Sequence, residues 1–95
     1  MLKIREGIIC ENVCGEHILV AARPAAPFCK RRAILLSEEA FFLWNLLENG
    51  VDEEALIEKF CEHYEVSETQ VSDDVQAFCE KMTAAGYLVQ TEEAV

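Results

Sequence analysis

With 95 residues, 52% of them hydrophobic, the chain holds one domain with one modest core and leaves little room for an enzyme cleft with a bound cofactor. The net charge of −10 is lopsided: residues 1–47 carry six basic and five acidic side chains, whereas residues 48–95 carry two basic and thirteen acidic ones. An acidic second half is a poor partner for nucleic acid or an anionic membrane; no apolar run reaches the length of a membrane span and no secretory signal is visible, so a cytoplasmic protein is expected.

Residues 1–7 read as a charged lead-in. Residues 8–14 and 17–22 read as two strands joined by a short turn at Gly15-Glu16, because two-residue connections with glycine favour tight hairpins. Residues 23–28 hold both prolines, Pro24 and Pro27, and read as a loop that cannot continue a ladder. Residues 29–36 form the third predicted strand, in which Arg32, Ile34 and Leu36 alternate with Arg31, Ala33 and Leu35. A meander of three antiparallel strands is the simplest connection.

Three helices follow. Ser37 is a good N-cap, Glu38 and Glu39 sit at the positive end of the dipole, and Ala40, Phe41, Leu43, Trp44 and Leu47 make an apolar stripe over residues 38–49. Gly50 then stops the helix. The second helix, 53–64, has Asp52 as its expected cap and Leu56, Ile57, Phe60 and Tyr64 on its apolar face. The third, 68–85, opens on a capping box formed by Ser67 and Gln70 and carries Val71, Val75, Phe78, Met82 and Ala85 at helical spacing up to Gly86. Tyr87-Leu88-Val89 is a short apolar segment suited to closing the fold, and residues 91–95 read as a frayed acidic tail. Strands followed by helices give an α+β fold of winged helix-turn-helix type over one domain, residues 1–95.

No catalytic residue is assigned, because the chain has neither a nucleophile motif nor a glycine-rich phosphate loop and its carboxylates lie on helix surfaces. The five cysteines contain no C-x-x-C pair and read as free thiols in a reducing compartment. Cys10, Cys14 and His17 supply three potential ligands and no fourth, so no metal is assigned. Winged helices often bind DNA, but the third helix carries Glu68, Asp73, Asp74 and Glu80 against Lys81 alone and phosphates would repel it. An edge at the third strand suits capture of an extended peptide, with Lys30, Arg31 and Arg32 attracting an acidic one. The same three charges equally suit gatekeepers that blunt an edge against aggregation, and the pattern does not choose between the two.

Several ordered motifs together resemble one family. They are Lys3-x-x-Glu6-Gly7-Ile8-Ile9, Glu11-x-Val13-x-Gly15-Glu16-His17-Ile18-Leu19-Val20, Ile34-x-Leu36-Ser37-Glu38-x-Ala40-x-x-Leu43-Trp44-x-x-Leu47, Asp74-Val75-x-x-Phe78 and Ala85-Gly86-Tyr87-Leu88. This set, spread over roughly residues 1–89, is similar to the PqqD family. The resemblance implies a stand-alone precursor-peptide recognition element of ribosomally made, post-translationally modified peptides, without catalytic activity or a cofactor of its own. Such an element binds the leader of the precursor as an added strand between its third strand and third helix and delivers it to a maturase, often a radical S-adenosylmethionine enzyme. Carried over by position, the peptide-binding residues would be Arg31, Arg32, Ala33, Ile34 and Leu35 on the strand and Asp74, Val75, Phe78 and Lys81 on the helix. On the helical wheel Val71, Val75, Phe78 and Met82 point inward, which favours core over groove for the apolar ones, with Phe78 the best placed to serve both. The chain departs from the family's common pattern at Ser37, where Asn is frequent, at Glu39-Ala40-Phe41, where Gly is frequent, and in its five cysteines. The alternative is a winged-helix adaptor that pairs with a second copy through the same strand edge.

Overall fold

The computed structural model describes residues 1–90. A strand, β1 (Leu2–Ile4), stands where the sequence reads as a lead-in. Three residues are too few for alternation to register, and Lys3, Arg5 and Glu6 mask the two apolar ones. β2 (Ile8–Val13) and β3 (Glu16–Ala21) then form the expected hairpin, with its turn one residue earlier, at Cys14-Gly15. Both turn residues have positive φ, 53° and 80°. That pairing is a type I′ turn, whose twist matches the flanking strands. Gly15 announces such a turn in the sequence, while nothing marks Cys14 as the second left-handed residue.

The third strand of the meander, β4 (Ala33–Leu36), is half as long as the alternation predicts. A 3-10 turn at Ala26–Phe28 precedes it, and residues 29–31 lie outside the ladder, where the Lys30 N–H donates to the Ala85 carbonyl at 3.1 Å. The sheet order is β2-β3-β4, so β4 is an edge.

Helix α1 (Glu38–Leu47) starts where Ser37 Oγ accepts the Ala40 N–H at 3.1 Å. It ends two residues short of the expected stop, and the chain turns through Gly50, whose φ is 71° and whose N–H donates to the Leu47 carbonyl at 2.9 Å. Helix α2 (Glu53–Tyr64) has Asp52 in the N-cap position, but that carboxylate faces the Met1 ammonium at 3.4 Å instead of a helix N–H. Helix α3 (Glu68–Ala85) opens with the Ser67 N–H donating to Gln70 Oε1 at 3.3 Å. It closes at Gly86, with φ 91°, where a Cβ would lie 2.1 Å from the Phe28 carbonyl oxygen. Only glycine permits both that conformation and that approach. β5 (Leu88–Gln90) then returns antiparallel beside β1, with Leu2 opposite Gln90 and Ile4 opposite Leu88. The sequence-predicted tail, residues 91–95, lies outside the described residues.

Helix and strand meet in one core. Leu19, Ala21 and Leu36 from the sheet pack with Leu43, Trp44 and Leu47 of α1, Leu56 of α2, Val75, Cys79 and Met82 of α3, and Tyr87 and Leu88. Trp44 is 2% exposed and Tyr87 0%, so the two largest buried side chains join α1 to the end of α3. Burying each side chain of this size contributes about 1.5–3 kcal/mol. Phe78, expected to serve both core and groove, is half-buried and packs against this core from its rim, and Cys79 takes the buried position beside it. The other face of the sheet looks outward, with Ile9, Val13 and Leu35 exposed.

Candidate functional site

The register of β4 assigns its backbone groups. The Ala21 N–H donates to the Arg32 carbonyl at 2.8 Å, and the pairs continue Val20 with Ala33, Leu19 with Ile34, Ile18 with Leu35 and His17 with Leu36. Hydrogen-bonded and non-bonded pairs alternate in an antiparallel ladder. Arg32, Ile34 and Leu36 therefore turn their peptide groups toward β3, while Ala33 and Leu35 turn theirs away from the sheet. Leu35 is also 60% exposed. An open edge bearing an exposed leucine is a liability in a protein that does not use it.

A furrow of about 480 Å³ runs along this edge. Lys30, Arg31, Ala33, Ile34 and Leu35 line one side of it, and Lys81, Ala84 and Ala85 of α3 the other. The small side chains of Ala84 and Ala85 leave the width. The bond from Lys30 to Ala85 closes one end of the furrow. Tyr87 fixes the same end, since its hydroxyl donates to the Arg31 carbonyl at 2.7 Å, and the Cys29 thiol donates to the Gly86 carbonyl at 3.4 Å. Burial pushes the Tyr87 hydroxyl pKa up, with Cys29 adding to the shift, so Tyr87 stays a donor at neutral pH. The segment leading into β4 is thus tied to the end of α3, and the edge left open runs along Ala33–Leu36.

A second, smaller cavity of about 230 Å³ opens between the helices. Ser37, Ala40, Leu43, Phe60, Val71, Val75 and Phe78 give it apolar walls, with Glu39 and Asp74 beside them. Asp74, Phe78, Lys81 and Ala85 follow one another at spacings of four, three and four, so one stripe of α3 lines both cavities. The charges divide along that stripe. Three cations and no acid line the furrow beside β4, and two carboxylates and no cation line the cavity between the helices.

Of the nine residues predicted from sequence, Arg31, Ala33, Ile34, Leu35 and Lys81 come together in the furrow. Asp74, Val75 and Phe78 line the neighbouring cavity instead, and Val75, at 1% exposed, is core. Arg32 is exposed and lines neither; its carbonyl belongs to the ladder with β3. Sequence reasoning missed Ala84 and Ala85, whose only signal is the run of small residues Ala84-Ala85-Gly86 at a helix end, and left Lys30 out of the site. It also missed Ala40 and Phe60, which read simply as core-facing positions.

Cys10, Cys29 and Cys79 are poor nucleophiles. Burial pushes the thiol pKa of Cys79 to about 12 and raises that of Cys10, and also that of Cys29, where Arg5 opposes the shift. His17 stacks on Phe41 with ring centroids 3.6 Å apart and lies 3.5 Å from Glu38 through Nε2. Among the described residues no three His, Cys, Asp or Glu side chains gather around a metal-sized space.

The chain matches the model of the family described as coenzyme PQQ synthesis protein D (PqqD) over residues 16–88. The motifs ahead of Glu16 that resemble the family lie outside that span. Two solved structures share the fold. TbiB1 in complex with the TbiA(beta) leader peptide is 20% identical, with a TM-score of 0.76 over 96% of this chain and 99% of that one. A lasso peptide synthetase B1 complexed with the leader peptide is 17% identical, with a TM-score of 0.73 over 94% of this chain and 98% of that one. No curated protein matches the chain significantly in sequence. With well over half of its length under one family model, the chain belongs to the PqqD family.

Proposed function

We propose that this chain binds the leader segment of a ribosomally made precursor peptide as a fourth strand on β4 and presents it to a separate modifying enzyme. The observation that carries the reading is the outward-facing edge at Ala33 and Leu35, opening onto a furrow walled by α3. An extended peptide there would exchange N–H and C=O bonds with those two residues, and such main-chain bonds give affinity without regard to sequence. Selectivity would come from alternate side chains of the peptide. Those near the start of β4 meet Lys30, Arg31 and Lys81, which suits acidic residues, and one reaching the cavity beside Phe78 and Phe60 meets an apolar pocket. Membership in the PqqD family and the leader peptides in both structural neighbours support this reading. The role is binding and presentation, without catalysis, and the radical S-adenosylmethionine enzyme implied by the family resemblance is the proposed recipient.

A proline scan of β4 tests it, with the cognate leader as a synthetic peptide. Proline lacks the N–H, so it disrupts only the partner toward which that N–H points. Ala33→Pro and Leu35→Pro are expected to fold and to lose at least about tenfold in leader affinity. Ile34→Pro is expected to weaken the sheet itself. Equal effects at all three positions would contradict strand addition, and a wild-type dimer that leader cannot dissociate would assign the edge to a second copy.

A further inference from the structure

The furrow explains one edge of the three-stranded sheet and leaves its outer face without a role. Strand alternation places Ile9, Glu11 and Val13 of β2, Glu16, Ile18 and Val20 of β3, and Ala33 and Leu35 of β4 on the side away from the core. Ile9 is 45% exposed and Val13 50%, beside Leu35 at 60%, and Ile18 and Val20 are half-buried. Together they leave apolar surface on the order of a few hundred Å², the size of the largest patch on a typical monomer, which is often functional. Four of the eight side chains are β-branched and one is alanine, so docking would freeze little rotamer freedom.

Glu11 stands in the middle of this face. It lies across from Ile18, which lies across from Leu35, and Ile9 and Val13 flank it two residues to either side. No basic group among the described residues forms an ion pair with it. Glu16, opposite Val13, is its diagonal neighbour at the hairpin end of the face, and the other side chains around it are apolar. A carboxylate so placed suits a partner that brings its own cation into a largely apolar contact.

We infer that this face docks the modifying enzyme, through an apolar patch on that enzyme carrying one arginine or lysine opposite Glu11. The identity of the partner rests on the leader-binding reading; the surface does not. A second copy of this chain fits poorly, because two-fold packing about the centre of the face would press two Glu11 carboxylates together where water is excluded, and none of the eight side chains is basic. The face is also continuous with the leader edge through Leu35. A strand added to β4 would lay half of its own side chains beside Leu35 and widen the patch, so an enzyme gripping this face would read chain and leader together.

The test titrates the purified cognate modifying enzyme by calorimetry against the full chain, with and without the synthetic leader. Glu11→Arg and Ile9→Lys change exposed positions and should leave the melting temperature and the leader affinity, within about twofold, as in wild type. Both should weaken enzyme binding by about tenfold or more, as expected for the centre of an interface. Leader titrations without enzyme judge the leader-binding reading alone, and enzyme titrations without leader judge the face alone. The inference is overturned if the wild type does not bind the enzyme or if both folded variants bind it as tightly as wild type does. It is also overturned if the variants lose leader and enzyme binding equally, which would make the face part of the leader site, or if they dissolve a wild-type dimer.

Discussion

Trp44 and Cys79 carry structural weight, and each leaves a measurable trace. Trp44 sits at the centre of the core at 2% exposed, away from both cavities. Trp44→Ala should cost about 3–5 kcal/mol, a large share of the stability of a domain this small. An unchanged melting temperature would mean that the core is misplaced. Cys79 adds a pH dependence. Its folded pKa, about 12, stands above the ordinary thiol value of 9.0 because burial opposes the thiolate, with Glu53 and Glu80 adding to the effect. Above pH 9 the unfolded chain releases this proton while the folded chain keeps it. The stabilisation is therefore whole below pH 9 and is lost as pH rises toward 12. Melting temperature against pH should fall across that window, and Cys79→Ala should fall less steeply while starting lower. Cys10, Cys29 and Tyr87 shift the same way, so part of the slope should remain. Equal slopes in the two proteins would contradict burial of the thiol.

Elements with strong local chemistry are legible in the sequence, and elements defined by their partners are not. The Ser37 cap, the stripe through Trp44 and the stop at Gly86 are each set by side chains within one or two turns, and the structure contains all three. β1 and β5 are three residues each and exist because they meet each other. β4 is shortened for a similar reason: residues 29–32 alternate well enough for a strand, but a bond to the end of α3 takes Lys30 out of the sheet. The site inherits this limit. Its β4 wall follows from alternation, whereas the split of the α3 residues between two cavities depends on how far the helix stands from the strand at each turn. That split sharpens the charge prediction. Arg31 lines the furrow and Arg32 does not, so Arg31→Glu should slow association with an acidic leader and weaken it by about 0.2–1 kcal/mol, and Arg32→Glu should do less. Added salt should reduce the difference between wild type and Arg31→Glu, since exposed charges are screened within about 10 Å. Stopped-flow rates at two salt concentrations measure it. Equal rates for all three proteins would reduce the basic run to a guard on the edge.

The whole molecule is a small sheet with acidic helices on one side, an apolar face on the other and a cationic furrow at the seam. A chain with net charge −10 would repel an acidic peptide over most of its surface, and Lys30, Arg31 and Lys81 give that peptide one place to land. The central claim is that it lands as a strand on β4. Residue-resolved amide hydrogen exchange, with and without the leader, tests that claim most directly. In the chain alone the amides of Ile34 and Leu36 should be protected by β3, while those of Ala33 and Leu35 should exchange quickly. Saturating leader should slow exchange at Ala33 and Leu35 and leave Ile34 and Leu36 little changed. Fast exchange persisting at Ala33 and Leu35 under saturating leader, with new protection elsewhere, would contradict it.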